Sequence, residues 1–446
     1  MPKFITINHT IKKYYKKIKV DSDKSLSIRI AILASQAIGK SKALNLLKSD
    51  DVISTINCLK KLGIKIKWNK KKNFCEIYGN GLNSYVYKKN LRLNAGNSGT
   101  AARLITSTLI NSPKIINITG DQSLKKRDMN RIVKPLQEFG ATFKKNYGTL
   151  PINIKGSNFI RPINYFDNKL ASAQVKSAVM FAALSASGET YIKCLPSRNH
   201  TEILFKYLKI PIKIKKINNF DIIKVKGKEN FNSFIYNVPS DISSAAFFIV
   251  LTLLSKNSRL ILKNVCVNNT RTGVIDILNK MGAKITFKNK KNYKGEKIAD
   301  IYVRSSKSLK SVNCPTYINS RAIDEFLIIF LAAARARGIS YFKNLEELNK
   351  KESRRLDWGS KILNMIGVKN KLIKNHGIKI WGNPNLKLNK KYEIKNYLKD
   401  HRVMAMSTIA ALTLGGKWKI YNPESIKTSF PSFFKILKKD LGAKIN

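Results

Sequence analysis

One arrangement of apolar and polar positions recurs along the 446-residue chain. Apolar residues first repeat at helical spacing, a glycine follows, and a short apolar run of strand character comes next. The phrase reads LKKLGIKI around Gly63, PLQEFGATF around Gly140 and ILNKMGAKI around Gly282. It returns as ILNMIGV around Gly367 and ILKKDLGAKI around Gly442. Successive glycines lie 77, 142, 85 and 75 residues apart. The long interval holds two units, and FKYLKIPIKI near Ile210 fits as a copy whose glycine has been lost. Six units of about 75 residues are therefore predicted, too long a period for a thin solenoid. Each glycine suits the position just past a helix, where a positive φ turns the chain into a strand. Each unit reads as a small α/β module with one or two helices and several strands.

Composition changes this picture only in its charge. Hydrophobic residues make up 43% and charged residues 25%, ordinary values for a globular chain, but 84 Lys+Arg against 27 Asp+Glu leave a net charge of +57. Such an excess raises the possibility of a nucleic-acid or membrane-surface binder. The lysines run from Lys3 to Lys444 without a basic tail and occupy the polar positions of patterned segments. Neither zinc-finger spacing nor a basic-aromatic strand of the RNA-recognition type is present. The distribution thus favours solvated lysines spread over every exposed face, with no specific nucleic-acid partner. Cys58, Cys75, Cys194, Cys266 and Cys314 are scattered, which argues against a disulfide framework or a cysteine-built zinc site. Apolar runs such as Phe326–Ala334 are too short to span a bilayer, and the first residues lack a signal-peptide core. A cytoplasmic protein without a membrane anchor is expected.

Candidate chemistry begins at Gly96-Asn97-Ser98-Gly99-Thr100, between the strand-like LRLNA and the helix-like AARLITSTLI. Glycine permits close approach of a ligand to the backbone, and a helix N-terminus offers free N–H groups and the positive end of a dipole. The segment suits a phosphate or carboxylate, although the same residues also make a plain turn. Near the start, Asp23-Lys24-Ser25-Leu26-Ser27-Ile28-Arg29 places Lys24, Ser25 and Arg29 at the beginning of a helix. Further segments are GDQSLKKRDM with Arg127, SAQVKSA with Ser172 and Gln174, SRNHTE with Ser197, and VPSDISSAAFF. NNTRTG, IDEF with Asp324, KKESRRL with Lys351, Glu352 and Arg355, DHRVMAM with Arg402, and SFPSFF complete the series. Read alone, Asp324 ahead of the apolar FLIIFLAAA is equally a simple helix N-cap.

In order, and across almost the whole chain, these segments resemble the motifs of the EPSP synthase family, among them G-N-x-G-T-x-x-R, S-S-Q-x-K-S, S-R-D-H-T-E, K-E-S-D-R and D-H-R-x-A-M. The resemblance implies an α/β fold of two domains, each of three βαβαββ units, in an inside-out α/β barrel architecture. It implies one domain over residues 23–238 and a second over 1–22 plus 239–446, with substrates in the cleft between them. It implies enolpyruvyl transfer from phosphoenolpyruvate to the 5-hydroxyl of shikimate 3-phosphate, by a monomer, without a metal or organic cofactor. By the same resemblance Lys24, Ser25, Arg29, Ser172, Gln174, Ser197, Asp324 and Lys351 bind shikimate 3-phosphate. Lys24, Asn97, Gly99, Arg127, Gln174, Arg355 and Arg402 bind phosphoenolpyruvate. Asp324 is the implied base toward the hydroxyl, Glu352 the implied proton donor, and Lys24 stands beside the reacting centre.

Several positions depart from the family pattern. Asp21-Ser22 replace Pro-Gly, Asp128 follows Arg127 in place of Pro, and Ala173 replaces a serine. Asn199, Ser240 and Arg354 also differ, and Thr428 rather than Lys427 occupies the place of a phosphate-binding lysine. Two alternatives share the scaffold. One is enolpyruvyl transfer to UDP-N-acetylglucosamine, against which the S-A-Q, K-E-S and D-H-R segments argue; the other is a polyanion-binding protein without catalysis.

Overall fold

The computed structural model describes residues 3–144, 148–169, 171–374 and 376–446. The chain divides into two units, one of Met1–Asp21, Pro239–Tyr293 and Lys297–Asn446, the other of Ser22–Val238 with Lys294–Glu296. Among the described residues, each unit contains three small sheets built to one plan.

The sheet around Gly96 shows that plan. Strand Leu91–Asn94 runs parallel to Ile116–Thr119, with helix Gly99–Ser107 between them in sequence. Helix Asn130–Glu138 leads to Thr142–Lys144 and Ile152–Lys155, which add antiparallel strands beside Ile116–Thr119. The order β-α-β-α-β-β recurs in Asn164–Lys226 and in Leu309–Gly382. The remaining modules draw their strands from separated stretches of chain. Ile235–Asn237 is the parallel partner of Ile38–Leu44, and Tyr15–Ile18 is the parallel partner of Arg259–Cys266. In the last, Leu388–Ile394 pairs with Gly415–Tyr421, and Phe4–Ile7 lies antiparallel to that strand. Thr6 then exchanges two backbone hydrogen bonds with Asn446, so the first and last segments complete one module.

Among the described residues the turn predicted just past a helix is present six times, and in all but the last copy the module's last strands follow it. Gly63, Gly140, Gly282, Gly367 and Gly442 have φ of 88°, 113°, 85°, 74° and 72°. The copy without glycine places Lys209 there, at φ 58°, one residue before Ile210. In five of them the next residue donates its N–H to the carbonyl five positions back, as Ile64 does to Leu59 and Ile210 to Phe205. That bond fixes the helix end.

Two kinds of helix alternate. Asp50–Lys61 and Asn130–Glu138 bury one face, whereas Lys24–Gln36, Gly99–Ser107 and Ala173–Ala183 are buried almost throughout. In the other unit Ile242–Leu254, Phe326–Ala334 and His401–Leu414 play the buried part and touch one another. The apolar run Phe326–Ala334 is thus a core helix of that unit, fully enclosed by its module and neighbours. Among the described residues no helix is long and apolar enough to cross a membrane.

Candidate active site

Six of the sequence motifs stand at the N-termini of the six buried helices. Five of these six helices are capped by a side chain that accepts a backbone N–H in the first turn. Asp23 accepts from Leu26 at 2.8 Å, Ser98 from Ala101 at 3.1 Å and Ser172 from Val175 at 3.4 Å. Asp241 accepts from Ser243 at 2.8 Å and Asp400 from Arg402 at 2.9 Å. The other free N–H groups and the positive dipole end remain at each start, where anions are favoured.

In the unit of residues 22–238, the Gly96–Thr100 turn is surrounded by side chains from three motifs. Arg127 donates to Asn97 Oδ1 at 2.7 Å, and Asn97 Nδ2 donates to Asp121 at 2.6 Å. Gln174 Nε2 donates to Thr100 Oγ1 at 3.0 Å, while Gln174 Oε1 accepts from Arg103 at 2.6 Å. A Cβ added to Gly99 would lie 2.7 Å from the Arg103 guanidinium and 3.0 Å from that of Arg127. The two cations therefore converge on the bare Cα of Gly99, as an anion cradle requires. Arg103, whose role was not read from the sequence, follows Gly99 by one helical turn, and that spacing is the signal for it. Lys24 forms an ion pair with Asp51 at 2.8 Å, a partner that no motif contains.

Arg29 is buried and ties three segments together. It donates to Thr201 Oγ1 and to Ser177 Oγ at 2.8 Å each, and to the carbonyl of Ser25 at 3.1 Å. Ser172 caps its helix, and the buried hydroxyl of Ser197 has no hydrogen-bond partner among the described residues. Asp128 takes a role of its own: its carbonyl accepts from Arg103 at 2.9 Å and its carboxylate from the N–H of Asn130 at 2.8 Å.

In the other unit the charged residues form a network centred on Arg355, which is 1% exposed. Its guanidinium donates to Asp400 at 2.8 and 3.2 Å, to Asp324 at 3.5 Å, and also to Glu352. Burial works against the Arg355 cation, but Asp400 and Glu352 outweigh it and raise its pKa further. Burial likewise opposes ionisation of Asp400, yet Arg355 holds that carboxyl below its ordinary range. Asp324 also faces Lys351 Nζ at 3.3 Å. It does not cap the helix that follows, because Glu325 holds the cap position and makes no side-chain cap bond. Arg402 donates to the carbonyl of Asp324 at 2.6 Å and stands 3.7 Å from Glu325, which accepts from Ser243. Thr428 meets His401 at 3.3 Å, whereas Lys427 is exposed, and Arg354 is a surface residue paired with Asp357. Asp21 accepts from the N–H of Ser432 at 2.8 Å, giving that departure a structural use.

The arrangement supplies cations, helix N-termini and neutral donors in one unit, and carboxylates ordered by arginines in the other. Comparison with known proteins identifies the chemistry. The profile of EPSP synthase (3-phosphoshikimate 1-carboxyvinyltransferase) matches residues 9–437. The 3-phosphoshikimate 1-carboxyvinyltransferase of Ruthia magnifica is 40% identical over 430 residues, 96% of each chain. That of Caldicellulosiruptor saccharolyticus is 39% identical over 429 residues, again 96% of each. The structure of EPSP synthase from Acinetobacter baumannii superposes with a TM-score of 0.84 at 34% identity, covering 100% of this chain and 99% of that one. The enolpyruvyl transferase NikO from Streptomyces tendae reaches a TM-score of 0.78 over 99% of this chain and 98% of its own, at 12% identity, a likeness of fold alone.

Proposed function

The chain belongs to the 3-phosphoshikimate 1-carboxyvinyltransferase (EPSP synthase) family, and from that premise we propose how its residues divide the work of the reaction. The enzyme transfers the enolpyruvyl group of phosphoenolpyruvate to the 5-hydroxyl of shikimate 3-phosphate, on the chorismate route to aromatic amino acids. The products are 5-enolpyruvylshikimate 3-phosphate and inorganic phosphate.

The observation that carries the assignment of roles is Asp324, a carboxylate held between Lys351 at 3.3 Å and Arg355 at 3.5 Å. Those two cations fix where the carboxylate stands, and a positioned carboxylate is what a base toward the hydroxyl needs. Asp324 takes the proton of the 5-hydroxyl as its oxygen attacks C2 of phosphoenolpyruvate. Glu352, which must carry a proton for this step despite its pairing with Arg355, delivers it to the methylene carbon, so that C2 can accept the new C–O bond. The tetrahedral adduct then loses a proton from the methyl carbon back to Glu352 and phosphate from C2, which leaves with the proton that Asp324 took, restoring the double bond.

Arg127, Asn97 and Gly99 hold phosphoenolpyruvate at the helix N-terminus, with Arg402 and Arg355 on its other charges and Lys24 and Gln174 beside it. Ser25, Arg29, Ser172, Gln174, Ser197 and Lys351 bind shikimate 3-phosphate. The proposal needs no cofactor, places the enzyme in the cytoplasm and treats it as a monomer. Phosphate release from phosphoenolpyruvate tests the reading: it should depend on shikimate 3-phosphate and not on UDP-N-acetylglucosamine. Release with neither acceptor, alongside tight RNA binding at moderate salt, would sink it.

A further inference from the structure

Lys176 lies within the SAQVKSA motif, one turn past Ser172, and is 2% exposed. A buried ammonium is retained only when it is well paired, since its desolvation is large. Its partners are Glu202 Oε1 at 2.6 Å, Asp221 Oδ2 at 3.8 Å and the backbone carbonyl of Ser197 at 3.4 Å. One side chain thus joins helix Ala173–Ala183, helix His200–Tyr207, strand Phe220–Lys226 and the segment that carries Ser197. Burial acts against the Lys176 cation, but Glu202 together with Cys194 and Asp221 more than offsets it, and the pKa is raised. The second oxygen of Glu202 has no hydrogen-bond partner among the described residues, so its visible pairing rests on Lys176.

Beside this contact runs a neutral one. Ser177 and Thr201, the residue after Lys176 and the residue before Glu202, share a 2.7 Å hydrogen bond, and both accept from Arg29. The Ser197 hydroxyl is different, being buried and unbonded among the described residues. Its own side chain cannot set its position, whereas its carbonyl is held by Lys176.

Resting on the functional reading above, we propose that Lys176, with Glu202 and Asp221, is a positioning residue for shikimate 3-phosphate. It holds the Ser197 segment against the helix that presents Ser172 and Gln174, and so sets sugar-phosphate affinity without touching substrate. An apolar side chain of similar length would fill the space but leave two buried carboxyls and the Ser197 carbonyl without their donor.

Four proteins test this: wild type, Lys176→Met, Ser197→Ala and the double variant, each measured for shikimate 3-phosphate affinity by calorimetry, for both KM values and for kcat. Lys176→Met should weaken shikimate 3-phosphate binding about tenfold, with phosphoenolpyruvate KM and kcat within about threefold of wild type. Because Lys176 acts through Ser197, the double variant should bind no more than about twofold worse than Lys176→Met alone. Losses that multiply, or a lowered melting temperature with affinity unchanged, would overturn the role. Should Lys176→Met not fold, the pair Lys176→Gln/Glu202→Gln takes its place: it keeps a neutral hydrogen bond between the two helices, while the shorter side chain gives up the Ser197 carbonyl. It too must lose affinity, and unchanged affinity refutes the proposal. Wild-type protein without acceptor-dependent phosphate release would instead refute the functional reading.

Discussion

Asp324 and Arg355 show how one charge network both orders and arms the site. Arg355 is enclosed by Asp400, Glu352 and Asp324, so its first effect is to fix where three carboxyls stand. Asp324→Asn keeps the shape and one acceptor but removes the proton-accepting charge. Turnover should fall by about 10²–10⁴-fold, the usual contribution of a positioned general base, with shikimate 3-phosphate affinity within a few-fold. Steady-state kinetics and calorimetry check this, and a large affinity loss with turnover spared would refute the base role. The members of this network were readable one by one in IDEF, KKESRRL and DHRVMAM. Their mutual pairing was not, because Asp324, Arg355 and Asp400 are separated by tens of residues and no local spacing links them. Lys24 and Asp51 make the same point in the other unit, where the cation lies in a motif and its carboxylate does not.

Helix ends were the most legible elements, since their chemistry is local. The positive φ of Gly63, Gly140, Gly282, Gly367 and Gly442 follows from a pattern visible within eight residues. Strands Tyr15–Ile18 and Ile235–Asn237 could not be assigned partners in that way, because each pairs with chain about two hundred residues distant and neither carries the glycine phrase. The sixth helix end offers a direct test. Lys209 holds φ 58°, a conformation that costs a side-chain-bearing residue about 1–2 kcal/mol, against about 0.5–1 kcal/mol of extra chain entropy lost by glycine. Lys209→Gly should therefore raise unfolding stability by up to about 1 kcal/mol. Gly282→Ala should lower it by a similar amount for the backbone reason alone, since nothing lies within 4 Å of the added Cβ. Denaturant titrations of both variants measure the pair, and a destabilised Lys209→Gly would show that the lysine side chain matters there. Gly99 differs because its φ is ordinary and its constraint is the approach of Arg103 and Arg127. Gly99→Ala should leave stability nearly unchanged and raise KM for phosphoenolpyruvate, and an unchanged KM would separate the turn from that substrate.

At the scale of the molecule the open question is what +57 does to stability. Many lysines do not stand free of the surface. Lys193 lies 5.2 and 5.1 Å from the ring centres of Phe166 and Phe220, Lys379 lies 5.1 and 4.6 Å from Tyr341 and Trp381, and Lys419 lies 4.1 and 5.2 Å from Phe4 and Tyr421. Their stems cover apolar sheet surface while the charged ends sit over rings. These contacts are short-ranged, whereas mutual repulsion of so many like charges acts over distances that salt screens. Raising sodium chloride from 10 to 300 mM at pH 7 should therefore increase the melting temperature by a few degrees. Acid sharpens the expectation. Arg355 holds Asp400 below its ordinary pKa of 3.8, so its stabilising contribution is complete above that value and is lost as pH falls through the lower native one. Over the same range protonated carboxyls add to the net positive charge. The salt-induced rise should thus be larger at pH 3 than at pH 7, measured by thermal scans at both. A melting temperature indifferent to chloride, or one raised only by polyanions, would show that the charge acts through bound partners and not through self-repulsion.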